Sequence, residues 1–206
     1  METFKTTTVK LGAVLWLVVL AGQVCGDEAK KITLGRDINI YVENGTLMRA
    51  NVCIPSVAKM QQVAAHGQPK ELSLLCDSEY PLTPQIAELV ASWDSVKHLT
   101  INVPSGDSHY HWLKSLEALG HVDTLEFSIG GDSAPLLDEL AQINLKVSLL
   151  KLTFMTSTVA KESLEKLMSN KLIGKATVRG NNMLPQELPI SEPLSKRLTI
   201  EVMKKD

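Results

Sequence analysis

Signatures of catalysis are missing from this 206-residue chain. There is no Gly-x-Ser-x-Gly, no His-Glu-x-x-His and no P-loop, so the familiar hydrolase, zinc-protease and nucleotide-binding motifs do not apply. No charge of one sign dominates either. The chain has 21 Lys and Arg against 23 Asp and Glu, a net charge of -2, and this gives no basic excess for nucleic acid. Long hydrophobic runs are also missing. The longest, LGAVLWLVVLAG at residues 11–22, is too short for a spanning helix, and the charged C-terminal LTIEVMKKD reads as neither a GPI signal nor a KDEL-type retrieval signal. These lacks exclude function classes without naming one.

That short apolar run follows METFKTTTVK and precedes QVCGDEAKK, with Val24 and Gly26 at the minus-three and minus-one positions of a cleavage site. Charge, length and small-residue exit together read as a secretory signal peptide over residues 1–26; the alternative is an uncleaved anchor helix. The expected destination is extracellular, with no stable membrane anchor. Cysteine is scarce, at three residues. Cys25 would leave with the leader, so Cys53 and Cys76 are expected to pair in an oxidising compartment, unless both are buried thiols. The closed loop would contribute roughly 3 kcal/mol by chain entropy. Asn44-Gly45-Thr46 is a glycosylation sequon, and its Asn-Gly is also a strong hairpin-turn signal between Ile38-x-Ile40-x-Val42 and the apolar run from Leu47.

What is plentiful is repetition. Val96-x-x-Leu99-x-Ile101-x-Val103 returns as Val122-x-x-Leu125-x-Phe127-x-Ile129 and Val147-x-x-Leu150-x-Leu152-x-Phe154. Weaker copies begin at Leu72, Ile173 and Leu198. The anchors Leu72, Leu99, Leu125, Leu150, Ala176 and Leu198 are 27, 26, 25, 26 and 22 residues apart. Such a fixed period marks stacked units. Each strand phrase leads into a helical stretch. Thr83 caps one at Pro84, with Ile86, Leu89 and Val90 as its stripe. Trp112, Leu113, Leu116 and Leu119 form the next stripe, closed by Gly120. Ser133 caps a third with Leu136, Leu137 and Leu140, and Val159, Leu164, Leu167 and Met168 form a fourth. The prolines in NNMLPQELPISEPLSK forbid a long helix in the last unit. Trp93 reads as core.

These phrases resemble the leucine-rich-repeat superfamily, in its long helix-containing form, over roughly residues 69–203. The consensus L-x-x-L-x-L-x-x-N-x-L is met with Val or Ile in place of the first Leu. Its Asn position is held by Pro104, Gly130, Met155 and only once, at 181, by Asn. The resemblance implies an α/β fold: a right-handed βα solenoid, parallel strands on its concave side and helices on its convex side. Residues 27–68 would form an N-terminal β-hairpin cap and 69–206 the repeats. The bland alternative is an ordinary α/β domain with one parallel sheet.

In such a solenoid the outward strand positions line a concave face. Register places Thr100, Asn102, Glu126, Ser128, Lys151, Thr153, Lys175 and Arg179 there as the candidate binding residues. Lys196 and Arg197 would join Lys151, Lys175 and Arg179 in a basic C-terminal half suited to an acidic partner patch. The expected function is non-enzymatic, without cofactor or metal: recognition of a protein, or a glycan, through the concave face or loops, of the kind used in extracellular recognition or immunity. Nucleic acid is not an expected partner. Two alternatives stand beside it. One is a metal-dependent or hydrolytic protein using Asp107, His109 and His111, though only His-x-His and one Asp are local. The other is a structural homo-oligomer joined through the last repeat, where Leu198, Ile200 and Val202 lack a following unit.

Overall fold

The computed structural model describes residues 29–104, 110–130, 132–155, 159, 161–180 and 196–202. The expected leader, Asp107, His109, Asn181 and the proline-rich stretch before Lys196 lie outside them. In chain order the elements are β1 (Lys30–Leu34), β2 (Ile38–Glu43), β3 (Thr46–Cys53), α1 (Val57–Ala64), β4 (Glu71–Leu75), α2 (Pro84–Ala91) and β5 (His98–Val103). A 3₁₀ helix (His111–Leu119) follows, then β6 (His121–Ile129), α3 (Ala134–Leu140), β7 (Lys146–Phe154), α4 (Lys161–Ser169), β8 (Ile173–Gly180) and β9 (Leu198–Val202). The nine strands among the described residues form one sheet in sequence order. The β1–β2 and β2–β3 pairs are antiparallel, and every pair from β3 to β9 is parallel. The fold is therefore α/β, with a mostly parallel sheet.

The anchors of the repeat are the rungs of this sheet. Leu72 pairs with Leu99, Leu99 with Leu125, Leu125 with Leu150, Leu150 with Ala176 and Ala176 with Leu198. Side chains alternate along a strand, so one register places all of these on one face. That face packs with the helix stripes into a single core cluster, including Ile86, Val90, Leu113, Leu116, Leu136, Leu137, Leu164 and Leu167. Trp93 is in this core, as the sequence suggests. The intervening strand residues remain partly or fully exposed, as in the β5 alternation Leu99 buried, Thr100 half-buried, Ile101 buried, Asn102 half-buried. The sheet thus has one covered face and one open face.

Local chemistry sets the element ends. Thr83 Oγ1 accepts from the Ile86 N–H at 3.4 Å, with Pro84 in the first helical turn. Asn44 and Gly45 have φ of 49° and 77°, the left-handed pair that a two-residue hairpin turn requires. The cap is larger than the expected hairpin. A further strand, β1, folds back on β2 through Gly35 at φ 70°, and α1 packs behind, with Ser56 capping it at the Lys59 N–H. Two expectations about helices change. The stretch from His111 winds as a 3₁₀ helix, which suits Leu113, Leu116 and Leu119: their spacing of three eclipses side chains in a three-residue turn. At α3, Asp132 Oδ1 rather than the Ser133 hydroxyl accepts from the Ala134 N–H at 3.0 Å.

The expected Cys53–Cys76 bridge is not formed. Cys53 pairs in register with Leu75, so the two share the open face, where Leu75 is 41% exposed. Cys76 lies one residue further on and turns into the core at 7% exposure. Side chains on opposite faces of the sheet cannot meet the narrow geometry of a disulfide without moving the backbone.

Candidate functional site: the open face of the sheet

Because the strands are in register, the outward residues line up in rows across the sheet. One row runs Thr33, Asn39, Asn51, Ser73, Thr100, Glu126, Lys151, Thr177, Thr199, touching every strand. A second runs Cys53, Leu75, Asn102, Ser128, Thr153, Arg179, Glu201. Lys175 lies in a third, after Arg49, Glu71, His98, Thr124 and Leu149. All eight residues singled out from the sequence therefore share the open face.

The structure also shows what occupies their charges. Arg49 Nε donates to Glu71 Oε2 at 2.6 Å, and its guanidinium lies 5.9 Å from the Tyr41 ring centroid. Glu126 Oε2 is 3.9 Å from Lys151 Nζ, and Arg179 Nε donates to Glu201 Oε2 at 2.6 Å. These are neighbours on adjacent strands, and opposite charges directly across a sheet attract. Of the basic C-terminal half expected from the sequence, Lys151 and Arg179 are therefore matched by carboxylates on this face, whereas Lys175 and Lys196 have no such partner among the described residues. Arg197 leaves it altogether. Its guanidinium donates to the carbonyls of Gly174 (3.1 Å), Met168 (3.0 Å), Asn170 (3.1 Å) and Ile173, closing the C-terminal end of α4. Periodicity alone could not reveal this, since an arginine at an outward position can reach over the strand edge.

A shallow cavity of about 240 Å³ opens on this face over β3–β5, lined by Arg49, Asn51, Glu71, Ser73, His98 and Thr100. It offers hydrogen-bond donors and acceptors. Among the described residues, no hydrogen bond joins His98 to Ser73 or Thr100, so no nucleophile and base are paired there. Of the Asp107, His109 and His111 group only His111 lies among the described residues, and it is away from this cavity. His111 Nδ1 lies 3.6 Å from Glu139 Oε1, on the helical side of the molecule, and no group of three metal-binding side chains occurs among the described residues. Tyr110 and Trp112 are buried, with ring centroids 6.4 Å apart, and Trp112 also meets Phe127 at 6.3 Å. They contribute to the core, not to an exposed recognition patch.

At the turns around the strands, backbone groups find partners in two ways. After β6 and β7 the backbone continues the sheet itself: Gly130 N–H donates to the Val103 carbonyl and Met155 N–H to the Ile129 carbonyl, both at 3.0 Å. At the opposite edge, side chains bracket one unit to the next. Asn170 Nδ2 donates to the carbonyls of Leu140 (3.3 Å) and Ile143 (2.9 Å), Ser95 Oγ to Pro69 (3.0 Å), and Glu117 Oε1 accepts from the Asn144 N–H at 2.9 Å. No sequence cue of a known repeat family points to these brackets. Asn44, the sequon residue, is exposed at the β2–β3 turn. Among the described residues no helix is long and apolar enough to cross a membrane. Comparison with protein-family models, curated proteins and solved structures finds no match to this chain.

Proposed function

We propose that this chain is an exported, non-enzymatic binding module, a divergent leucine-rich-repeat-like solenoid that recognises a protein through the open face of its sheet. The observation that carries the reading is that face: six or more strands wide in each row, exposed, and lined with Thr, Ser, Asn and pre-paired ions. The sequential order of the strands, their 22–27-residue steps and the helices gathered on one face support the solenoid, with right-handed crossovers and the open face concave. The cross-strand ion pairs fix the face in advance, which lowers the ordering cost of binding. With Arg49, Lys151 and Arg179 matched internally, the face selects a partner mainly by hydrogen bonds and shape rather than by a net acidic patch. Export, removal of residues 1–26 and a glycan at Asn44 belong to the same reading.

The test is capture of a partner from native extracellular fluid on immobilised protein. Ser128→Tyr with Thr153→Tyr places bulk in the middle of the face and should abolish capture. Lys114→Glu, on the helical side, should leave it unchanged. Equal capture by all three proteins would remove the open face from the reading.

The structural homo-oligomer has one specific observation behind it. Among the described residues β9 pairs only with β8, which leaves its other edge open to a second copy. A monomeric mass by light scattering at working concentration would end that alternative.

A further inference from the structure

The edge where the parallel strands begin carries a different surface from the open face. Lys70 precedes β4 and Lys97 precedes β5, with the Lys97 N–H donating to the Lys70 carbonyl at 2.8 Å. Lys146 opens β7 opposite His121, Lys171 precedes β8, Lys175 lies within it, and Lys196 precedes β9. Each of these lysines is exposed. Unlike Arg49, Lys151 and Arg179, none of Lys146, Lys171, Lys175 and Lys196 has a carboxylate partner among the described residues. The acidic side chains Glu71 and Asp123 on this edge lie at β4 and β6, Glu71 bonded to Arg49 and Asp123 3.7 Å from His121.

The densest part surrounds a hollow of about 390 Å³, lined by Lys146, Ser148, Lys171, Leu172, Gly174 and Lys175. Its floor is shaped by a glycine the fold demands. A Cβ on Gly174 would lie 2.7 Å from the Ser148 carbonyl oxygen, so no side chain can stand between Ser148 and the lysines. The site is thus a gap with uncompensated cations around it, held by strands whose backbones are paired.

Fully solvated ammonium groups bind a single small anion weakly, at about 0–1 kcal/mol per exposed pair. A polymer that presents several anions at once gains from counterion release and from linkage. Neighbouring strands lie roughly 4.8 Å apart, so the lysines of β7, β8 and β9 follow one another along the edge, which suits a linear chain. No aromatic side chain accompanies them, so stacked bases have no platform. We infer that the strand-start edge of β7–β9, centred on Lys146, Lys171 and Lys175 around Gly174, binds the sulfate groups of a linear sulfated glycan. The inference does not rest on the open-face reading, and its test uses the purified protein alone.

Heparin is the probe. The protein is retained on immobilised heparin near physiological salt. The triple variant Lys146→Gln, Lys171→Gln, Lys175→Gln weakens affinity by about tenfold or more, and flattens the slope of log affinity against log salt by roughly two to three. Its melting temperature stays unchanged, because the substituted side chains are exposed. A control with the same charge change, Lys30→Gln, Lys31→Gln, Lys114→Gln, keeps its affinity within about twofold. No retention by the parent protein would overturn the inference. So would equal weakening of the control, undiminished retention on desulfated heparin, or equal competition by duplex DNA at matched charge.

Discussion

At the scale of single residues, three side chains do more than their positions in the repeat suggest. Gly174 is required by close approach rather than by a left-handed backbone. Gly174→Ala should cost about 1–3 kcal/mol, because the obstacle is the Ser148 carbonyl and a backbone cannot rotate out of the way. Urea unfolding measures it, and an unchanged midpoint would contradict the packing described. Arg197 occupies four carbonyls, those of Met168 and Asn170 at the end of α4, where the helix dipole also favours a cation, and those of Ile173 and Gly174 at the start of β8. Lys has no planar fork, so Arg197→Lys should lose about 1–3 kcal/mol by the same assay. Lys59 holds the exit of β3: its ammonium donates to the carbonyls of Cys53 (2.9 Å) and Ile54 (2.8 Å) and pairs with Asp37 at 2.8 Å. Ile54 sits there at φ 49°, an unfavourable value for a β-branched residue. The cysteines give a prediction of their own: half-buried Cys53 on the open face should be alkylated in the native protein without reductant, and Cys76 only on unfolding. Equal and absent native labelling of both would restore the bridge.

At the scale of elements, the rungs matter more than the turns. Leu125 is fully buried in the middle strand of the parallel run, so Leu125→Ala should destabilise by about 2–5 kcal/mol, whereas removing the α2 cap with Thr83→Ala should cost about 1 kcal/mol. Chemical denaturation of the two variants side by side checks the order. The contrast mirrors what the sequence could tell. Leu72, Leu99, Leu125, Leu150, Ala176 and Leu198 were legible as a single register because burial imposes period two on a strand and stacking imposes a fixed step between strands. The Asn44-Gly45 turn and the Thr83-Pro84 cap were legible because each rests on local chemistry. The strand β1 was not, since KKITL has a weak alternation and gains its place by pairing with β2. The 3₁₀ winding of His111–Leu119 hides in a stripe that fits either helix until the spacing of three is weighed. The disulfide failed for a reason of parity: cysteine count and compartment say nothing about which face each side chain takes. The eight outward residues share one face of the sheet, as register requires, but the pairing of Lys151 with Glu126 and of Arg179 with Glu201 across strands, and the withdrawal of Arg197, depend on side-chain reach that no register conveys.

At the scale of the whole molecule, stability should be graded along the sheet. Each interior strand has two neighbours, while β1 and β9 have one among the described residues. Hydrogen exchange should therefore be slowest in β5–β8 and fastest at the two ends, as expected where each unit leans only on the next. Uniform protection from β2 to β9 would mean a single cooperative block instead. The molecule also sorts its charges by place: the open face carries the pairs Arg49–Glu71, Glu126–Lys151 and Arg179–Glu201, and its strand-start edge carries lysines, Lys175 included, without carboxylate partners among the described residues. Two partners could be held at once, one by shape and one by charge, and raising salt should release only the second.

Strand order that never departs from chain order has a consequence for growth and descent. No strand is inserted between two earlier ones, so each unit can dock on its predecessor as soon as it is made, before the rest of the chain exists. For the same reason a duplicated βα unit, spliced between β6 and β7, disturbs a single junction and leaves every other neighbour in place. Such a lengthened variant should fold and melt no lower than the parent, with added helix and strand in its circular dichroism. An architecture of this kind can gain or lose length in whole units while its ends stay the same, which is one way a lineage can change the span of a binding surface without redesigning the protein beneath it.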